Sequence, residues 1–144
     1  MFIGEYRPLL DDRGRVAVPV KIRKAYGPDM IDRLVMAPGF DRCVMAFRPQ
    51  DWENFVKEKL LSLPQNDPEN RKRIRFLLGG ASDCDLDKQG RILIPPALAD
   101  FAGLVKDTVI IGVYDRIEIW SAERYDGYRP SMDRFDEFAS DLGV

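Results

Sequence analysis

Apolar and polar positions alternate in short bursts along this chain, and the bursts come in two matching sets. Arg15-Val16-Ala17-Val18 reads as a short strand between a turn at Gly14 and a stop at Pro19. Arg91-Ile92-Leu93-Ile94 reads the same way between Gly90 and Pro95. Each proline then opens a brief helix: Val20 to Ala25, stopped by Gly27-Pro28, and Pro95-Pro96 to Phe101, stopped by Gly103. Two more strands follow in each half. Leu34 to Ala37 and Cys43 to Phe47 flank Gly39-Phe40-Asp41-Arg42, while Val109 to Val113 and Ile117 to Trp120 flank Tyr114-Asp115-Arg116. With the apolar Phe2, Ile3 and Tyr6 ahead of the first turn, each half becomes β-turn-β-α-β-turn-β. Alternation is cleanest in Ile117-Glu118-Ile119, which argues one buried face.

The period changes between the halves. From Asp51 to Leu63 the apolar residues Trp52, Phe55, Val56, Leu60 and Leu63 share one helical face. A second helix starts with Asp67 as N-cap and Pro68 in the first turn, runs through Arg71-Lys72-Arg73-Ile74-Arg75, and ends at Gly79-Gly80. The connector is therefore a helical hairpin. The end of the chain, Ser131 to Val144, is polar and acidic and is expected to be a short helix or disordered.

Beneath the periodicity lies a repeat. Leu10-Asp11-Asp12-Arg13-Gly14-Arg15-Val16-Ala17-Val18-Pro19 returns as Leu86-Asp87-Lys88-Gln89-Gly90-Arg91-Ile92-Leu93-Ile94-Pro95, 76 positions later. Gly27 and Gly103 keep that separation; Gly39 and Gly112, and Phe47 and Trp120, stand 73 apart. Such agreement marks an internal duplication. Neither half is large enough to bury a core alone, so the two are expected to fold as one pseudo-symmetric unit. The expected division is a first repeat over 1–50, a helical hairpin over 51–80, a second repeat over 81–125 and an acidic tail over 126–144. In the repeated turn, Asp11 and Asp87 accept hydrogen bonds from nearby amides, and Gly14 and Gly90 permit a positive φ.

Composition narrows the chemistry. Hydrophobic residues at 45% and charged residues at 32% are ordinary for a globular protein. No apolar run approaches the roughly 18 residues of a membrane span, and the opening residues lack the layout of a secretory signal. Cys43 and Cys84 form no Cys-x-x-Cys pair and suit a reducing cytosol. The chain has no histidine, which excludes Ser-His-Asp and Cys-His catalysis and leaves too few ligands for an ordinary zinc site. A carboxylate hydrolase using Asp85 or Asp87 is the remaining catalytic alternative. The expectation is a non-enzyme with no cofactor and no small-molecule substrate.

Charge is concentrated where the repeat is. The net charge is −2. Yet Arg7, Arg13, Arg15, Lys21, Arg23 and Lys24 face only Asp11 and Asp12 in the first turn region, while the final residues are acidic. A basic end on an acidic protein suits a focused phosphate-binding surface. The plainer alternative leaves Arg13 and Lys88 as solvated turn residues and pairs Arg15 with Asp11 and Arg91 with Asp87.

Two Asp-x-x-x-Arg copies, each closed by a proline, resemble those of the MraZ family of bacterial transcriptional regulators. Met1-Phe2-x-Gly4, Trp52, Asn66-x-Pro68-Glu69-x-Arg71, Leu77-Leu78-Gly79-x-Ala81 and Glu118-Ile119-Trp120-Ser121 add to the likeness. It covers the chain to about Tyr125. The resemblance implies an α+β fold of two tandem AbrB-like βαβ half-domains that form a pseudo-symmetric swapped-hairpin barrel with connecting helices. It also implies a ring-shaped homo-oligomer, cytoplasmic and nucleoid-associated, that binds G-rich direct repeats in double-stranded DNA and regulates the division and cell-wall gene cluster. No cofactor is needed. The family's DNA-contacting arginines fall on Arg13, Arg15 and Arg91, although Gln89 stands where Arg13 does in the other copy. An arginine fork suits guanine O6 and N7. Lys21, Arg23 and Lys24 would touch phosphates, and Asp11, Gly14, Asp87 and Gly90 would shape the turns. The alternative function is a protein-binding scaffold or antitoxin-like module of the same fold, docking through the connector helices and Trp52, Phe55 and Trp120.

Overall fold

The two repeated strands pair with each other rather than within their own halves. In a computed structural model describing residues 1–143, β2 (Arg15–Ala17) and β6 (Arg91–Leu93) form an antiparallel ribbon. The remaining strands are β1 (Glu5–Tyr6), β3 (Arg33–Pro38), β4 (Val44–Phe47), β5 (Ser82–Asp85), β7 (Thr108–Gly112) and β8 (Ile117–Ser121). They build one antiparallel sheet in the order β1-β7-β8-β4-β3-β5. That order is a palindrome under the repeat, since β1, β7 and β8 correspond to β5, β3 and β4. Among the described residues only the β3–β4 and β7–β8 strand ladders lie within a half; every other strand ladder joins one half to the other.

Register locates the axis of this symmetry. Val16 lies opposite Ile92, and Met45 lies opposite Glu118. Each is paired with its own counterpart, at the 76- and 73-residue separations of the repeat. The mixed α+β class expected from the sequence is what the chain adopts.

Six α-helices among the described residues complete the fold: α1 (Val20–Arg23), α2 (Pro49–Lys59), α3 (Pro68–Gly79), α4 (Pro96–Ala102), α5 (Ala122–Tyr128) and α6 (Phe135–Ala139). The main core collects Phe2, Val16, Val18, Ile22, Leu34, Met36, Ile92, Ile94, Leu98, Ile110, Ile117 and Ile119. Val16 with Ile92, Val18 with Ile94, and Ile22 with Leu98 are repeat counterparts, so the ribbon and the α1 and α4 helices close the core symmetrically. Each such side chain contributes about 1.5–3 kcal/mol by leaving water.

Helix limits depart from the sequence reading at α2. It begins at Pro49, two residues before Asp51, because proline pre-sets the first helical φ and Arg48 bridges to Asp51 across the first turn at 2.8 Å. It ends at Lys59, not Leu63. Leu60 turns into the interior, and Leu63 precedes Pro64, which disfavours helical backbone. The Asp67 cap is as expected, its carboxylate accepting from the Glu69 amide at 2.9 Å.

The repeat extends further than its sequence signature. On α2, Trp52 meets Phe47 edge-on at 5.4 Å and Phe55 meets Phe47 at 5.3 Å. On α5, Tyr125 meets Trp120 edge-on at 5.3 Å and Tyr128 meets Trp120 at 5.1 Å. All three positions keep the 73-residue separation, so α5 repeats the start of the connector. The hairpin tips correspond too: Asp41 and Tyr114 both adopt left-handed backbone, at φ 62° and 78°. Tyr114 is held there by two backbone hydrogen bonds with Phe2, 2.8 and 2.9 Å long.

Candidate nucleic-acid interface

The β2–β6 ribbon alternates strictly. Val16 and Ile92 point into the core, and Arg15, Ala17, Arg91 and Leu93 form the outer face. Arg15 stands opposite Leu93 and Ala17 opposite Arg91, which places the two arginines on one diagonal of that face. Ala17 and Leu93 between them are exposed.

Both turns that feed the ribbon are built alike. The Asp11 amide donates to the Arg15 carbonyl at 2.8 Å, and Gly14 donates to the Asp11 carbonyl at 3.0 Å; Asp87, Arg91 and Gly90 repeat this at 2.8 and 2.9 Å. Gly14 and Gly90 take φ values of 78° and 79°, a conformation costly for residues with a Cβ. The turns also lock across the axis. Val18 donates to the Gly90 carbonyl and Ile94 to the Gly14 carbonyl, each at 2.9 Å.

Each aspartate organises its own arginine. Asp11 Oδ1 accepts from the Arg13 and Arg15 amides at 2.9 Å, while Oδ2 accepts from Arg15 Nε at 3.0 Å. Asp87 Oδ1 accepts from the Gln89 and Arg91 amides at 2.9 Å, and Oδ2 from Arg91 Nε at 3.3 Å. These donors, above all the Arg15 and Arg91 amides, hold both carboxyls below their usual range. Arg15 Nη1 also lies 4.0 Å from Asp87 Oδ2, linking the two copies. The carboxylates thus grip the arginines by Nε. Among the described residues the Arg15 terminal amino groups make no hydrogen bond, whereas Arg91 Nη2 donates to Gln89 Oε1 at 2.6 Å.

The structure brings Asp11, Arg13, Gly14, Arg15, Asp87, Gly90 and Arg91 together at this ribbon. Arg13 is exposed and its side chain has no hydrogen-bond partner among the described residues. Lys21 and Lys24 are exposed on and beside α1, directly after the ribbon. Arg23 is different: its Nε donates to the Val18 carbonyl at 3.0 Å and it lies half-buried against the second turn. Among the described residues no group of His, Cys, Asp and Glu side chains could hold a metal ion. Chemically, the ribbon offers forked cationic donors on a narrow two-stranded blade.

A family model described as "MraZ protein, putative antitoxin-like" matches residues 1–75 and 77–142. The chain belongs to the MraZ family. It is 44% identical over 143 residues to "Transcriptional regulator MraZ" of Natranaerobius thermophilus, covering 99% of this chain and 96% of that protein. The protein of the same name in Lachnoclostridium phytofermentans is 44% identical over 142 residues, covering 99% and 95%. That of Halothermothrix orenii is 40% identical over 148 residues, covering both chains fully. MraZ relatives are thus named as transcriptional regulators, not as enzymes.

Two features of this MraZ-family site, and one of the fold around it, escaped the sequence reading. The Arg15–Asp87 approach depends on antiparallel register, which no local pattern encodes. Arg23 reads as one more cation of a basic cluster. Its distinctive signal was available in the repeat, where its counterpart 76 positions on is Ala99. Tyr125 and Tyr128 could likewise have been found by carrying the 73-residue separation past Trp120.

Proposed function

We propose that this MraZ-family chain is a sequence-specific DNA-binding transcriptional regulator acting on the bacterial division and cell-wall gene cluster. It reads G-rich direct repeats through Arg13, Arg15 and Arg91. The observation that carries this reading is the two-stranded ribbon with Arg15 and Arg91 on its outer diagonal. A β-ribbon fits the major groove, and terminal guanidinium donors match guanine O6 and N7. Lys21 and Lys24 supply phosphate contacts at the flank, adding affinity and salt dependence without choosing sequence.

The strand pairings that run between the halves support an AbrB-like swapped-hairpin arrangement within one chain. Exposed Phe40, Phe76, Val105 and Phe135 support assembly into a homo-oligomeric ring that covers such surface. Several ribbons in a ring gain avidity on repeated boxes. The site of action is the nucleoid, in the cytoplasm.

The test is an electrophoretic titration, at fixed salt, of the full chain against the DNA upstream of its own gene and a scrambled duplex. The wild type shifts the G-rich repeat preferentially, and Arg15→Ala loses that preference. Equal binding by Arg15→Ala overturns the arginine assignment; equal shifts of both duplexes by the wild type overturn the DNA reading. The family description favours one second reading, an antitoxin-like protein-binding module. Trp120 is 2% exposed and Trp52 and Phe55 pack on Phe47, so little of that aromatic set is free to dock. Stoichiometric recovery of a protein partner, with no preference among duplexes, would support that module.

A further inference from the structure

We infer that Arg23 is a positioning residue for the second recognition turn, and that the two turns are consequently unequal. This rests on the DNA-binding reading but concerns a different residue and a different role.

The geometry is specific to one copy. A methyl group built on Gly90 would lie 2.5 Å from the Arg23 guanidinium carbon and 2.6 Å from its Nε. The planar guanidinium therefore rests directly on the Gly90 backbone, in space that only a residue without a Cβ leaves open. Its Nε donates to the Val18 carbonyl at 3.0 Å, and the Val18 amide in turn donates to the Gly90 carbonyl at 2.9 Å. Nη1 lies 3.3 Å from the Met30 sulfur. Arg23 is thus held at three points, between α1, the Met30 segment and the turn. Gly90 is buried as a result, whereas Gly14 is not.

At the first turn nothing equivalent exists among the described residues. The position matching Arg23 is Ala99, and a methyl on Gly14 would meet the Leu93 side chain at 3.5 Å and the Ile94 carbonyl oxygen at 4.0 Å, both ordinary contacts. Differences in the turns run the same way. Arg91 hydrogen-bonds both Asp87 and Gln89. Among the described residues the Arg15 side chain hydrogen-bonds Asp11 alone, through Nε, with Asp87 Oδ2 at 4.0 Å from its Nη1, and the Arg13 side chain beside it has no hydrogen-bond partner. The second turn is a braced, preset contact. The first is the adaptable reader with two arginines. Arg23, half-buried and engaged through Nε, serves the site through Gly90 and Arg91 instead of through a phosphate.

Two arms test this. In the free protein, amide hydrogen exchange is compared between wild type, Arg23→Ala and Arg23→Lys. Both variants should speed exchange at Gln89, Gly90 and Arg91 by about tenfold or more and leave Arg13 to Arg15 unchanged. An equal response of both turns, or none, overturns the inference. In the DNA arm, Arg23→Ala should weaken binding to the G-rich repeat by about 3- to 10-fold without changing the slope of log K against log salt. Arg23→Lys should not rescue it, because an ammonium cannot stack as a planar fork. The Arg23→Ala/Arg91→Ala double variant should bind no more weakly than Arg91→Ala alone. A slope reduced by about 0.9, with rescue by lysine, would make Arg23 a phosphate contact and overturn the inference. Additive losses with Arg91→Ala would overturn it as well. If Arg23→Ala does not fold, as judged by thermal melting, Arg23→Lys keeps the stem and charge and decides both arms. A wild type without duplex preference sinks the DNA reading alone; the exchange arm then still decides the role of Arg23.

Discussion

Asp87 lies within reach of the arginines of both copies: its Oδ2 is 3.3 Å from Arg91 Nε and 4.0 Å from Arg15 Nη1. Asp11, its counterpart, pairs with the guanidinium of Arg15 alone among the described residues. Both carboxyls are held below their ordinary value of 3.8, first by the amide of the following arginine. A carboxyl depressed by folding adds stability that is fully present above its unfolded value and is lost as pH falls through the folded one. The expected acid limb therefore lies below pH 3.8. Urea midpoints measured from pH 5 downward should fall there in the wild type, and the Asp11→Asn/Asp87→Asn variant should show a shallower fall.

The pairing of Val16 with Ile92 gives a second expectation. Ile92 is fully buried on the axis where both halves meet. Ile92→Ala should cost about 2–5 kcal/mol in equilibrium unfolding, because little neighbouring structure can collapse into the gap. The transition should stay single, since the halves share one core.

Much of this was legible in the chain. The repeated decade, its glycines and its prolines indicated ten strands and helices in the right sequence, because turn chemistry and short alternation are local. Partner choice was not local. Nothing in Arg15 to Val18 says that it pairs with Arg91 to Ile94, although a duplication with unsatisfied edges makes such an exchange sensible. Phe2, Ile3 and Tyr6 mark the first strand in the sequence, yet β1 is only Glu5–Tyr6, bounded by Gly4 at φ 99° and by Pro8. At the ribbon, the residue types were legible; that Arg23 turns inward was not, since its target, Gly90, is distant in sequence.

Lys24 and Arg15 should separate by salt as well as by sequence. Lys24→Ala removes a cation that is exposed beside α1. It should weaken all duplexes alike and reduce the salt slope by about 0.9. Arg15→Ala should cost about 1–3 kcal/mol on the G-rich repeat and much less on a scrambled one. Fluorescence anisotropy at several salt concentrations measures both.

Gly112 tests the N-terminal clasp. A methyl there would lie 2.3 Å from the Ile3 nitrogen and 2.5 Å from the Phe2 carbonyl carbon, both backbone atoms that cannot swing aside. Gly112→Ala should therefore loosen the segment that carries the fully buried Phe2. A loss of about 1–3 kcal/mol in thermal or urea unfolding is expected. Deleting Met1 and Phe2 in that background should cost less than it does in the wild type.

The palindromic strand order has a consequence for biosynthesis. When the ribosome has completed β4, the new chain has one hairpin, and β1, β2 and the outer edge of β3 have no partners. Those partners are β7, β6 and β5, and β7 begins 61 positions after β4 ends. At about 5–20 residues per second, the first half waits several seconds with its strand edges bare. During that interval α2 and α3 are the segments able to fold on local contacts, and a neighbouring nascent chain could offer the same edges as the missing half. Polysomes that crowd this message would then favour exchange of halves between chains, a hazard created by the same symmetry that completes the core.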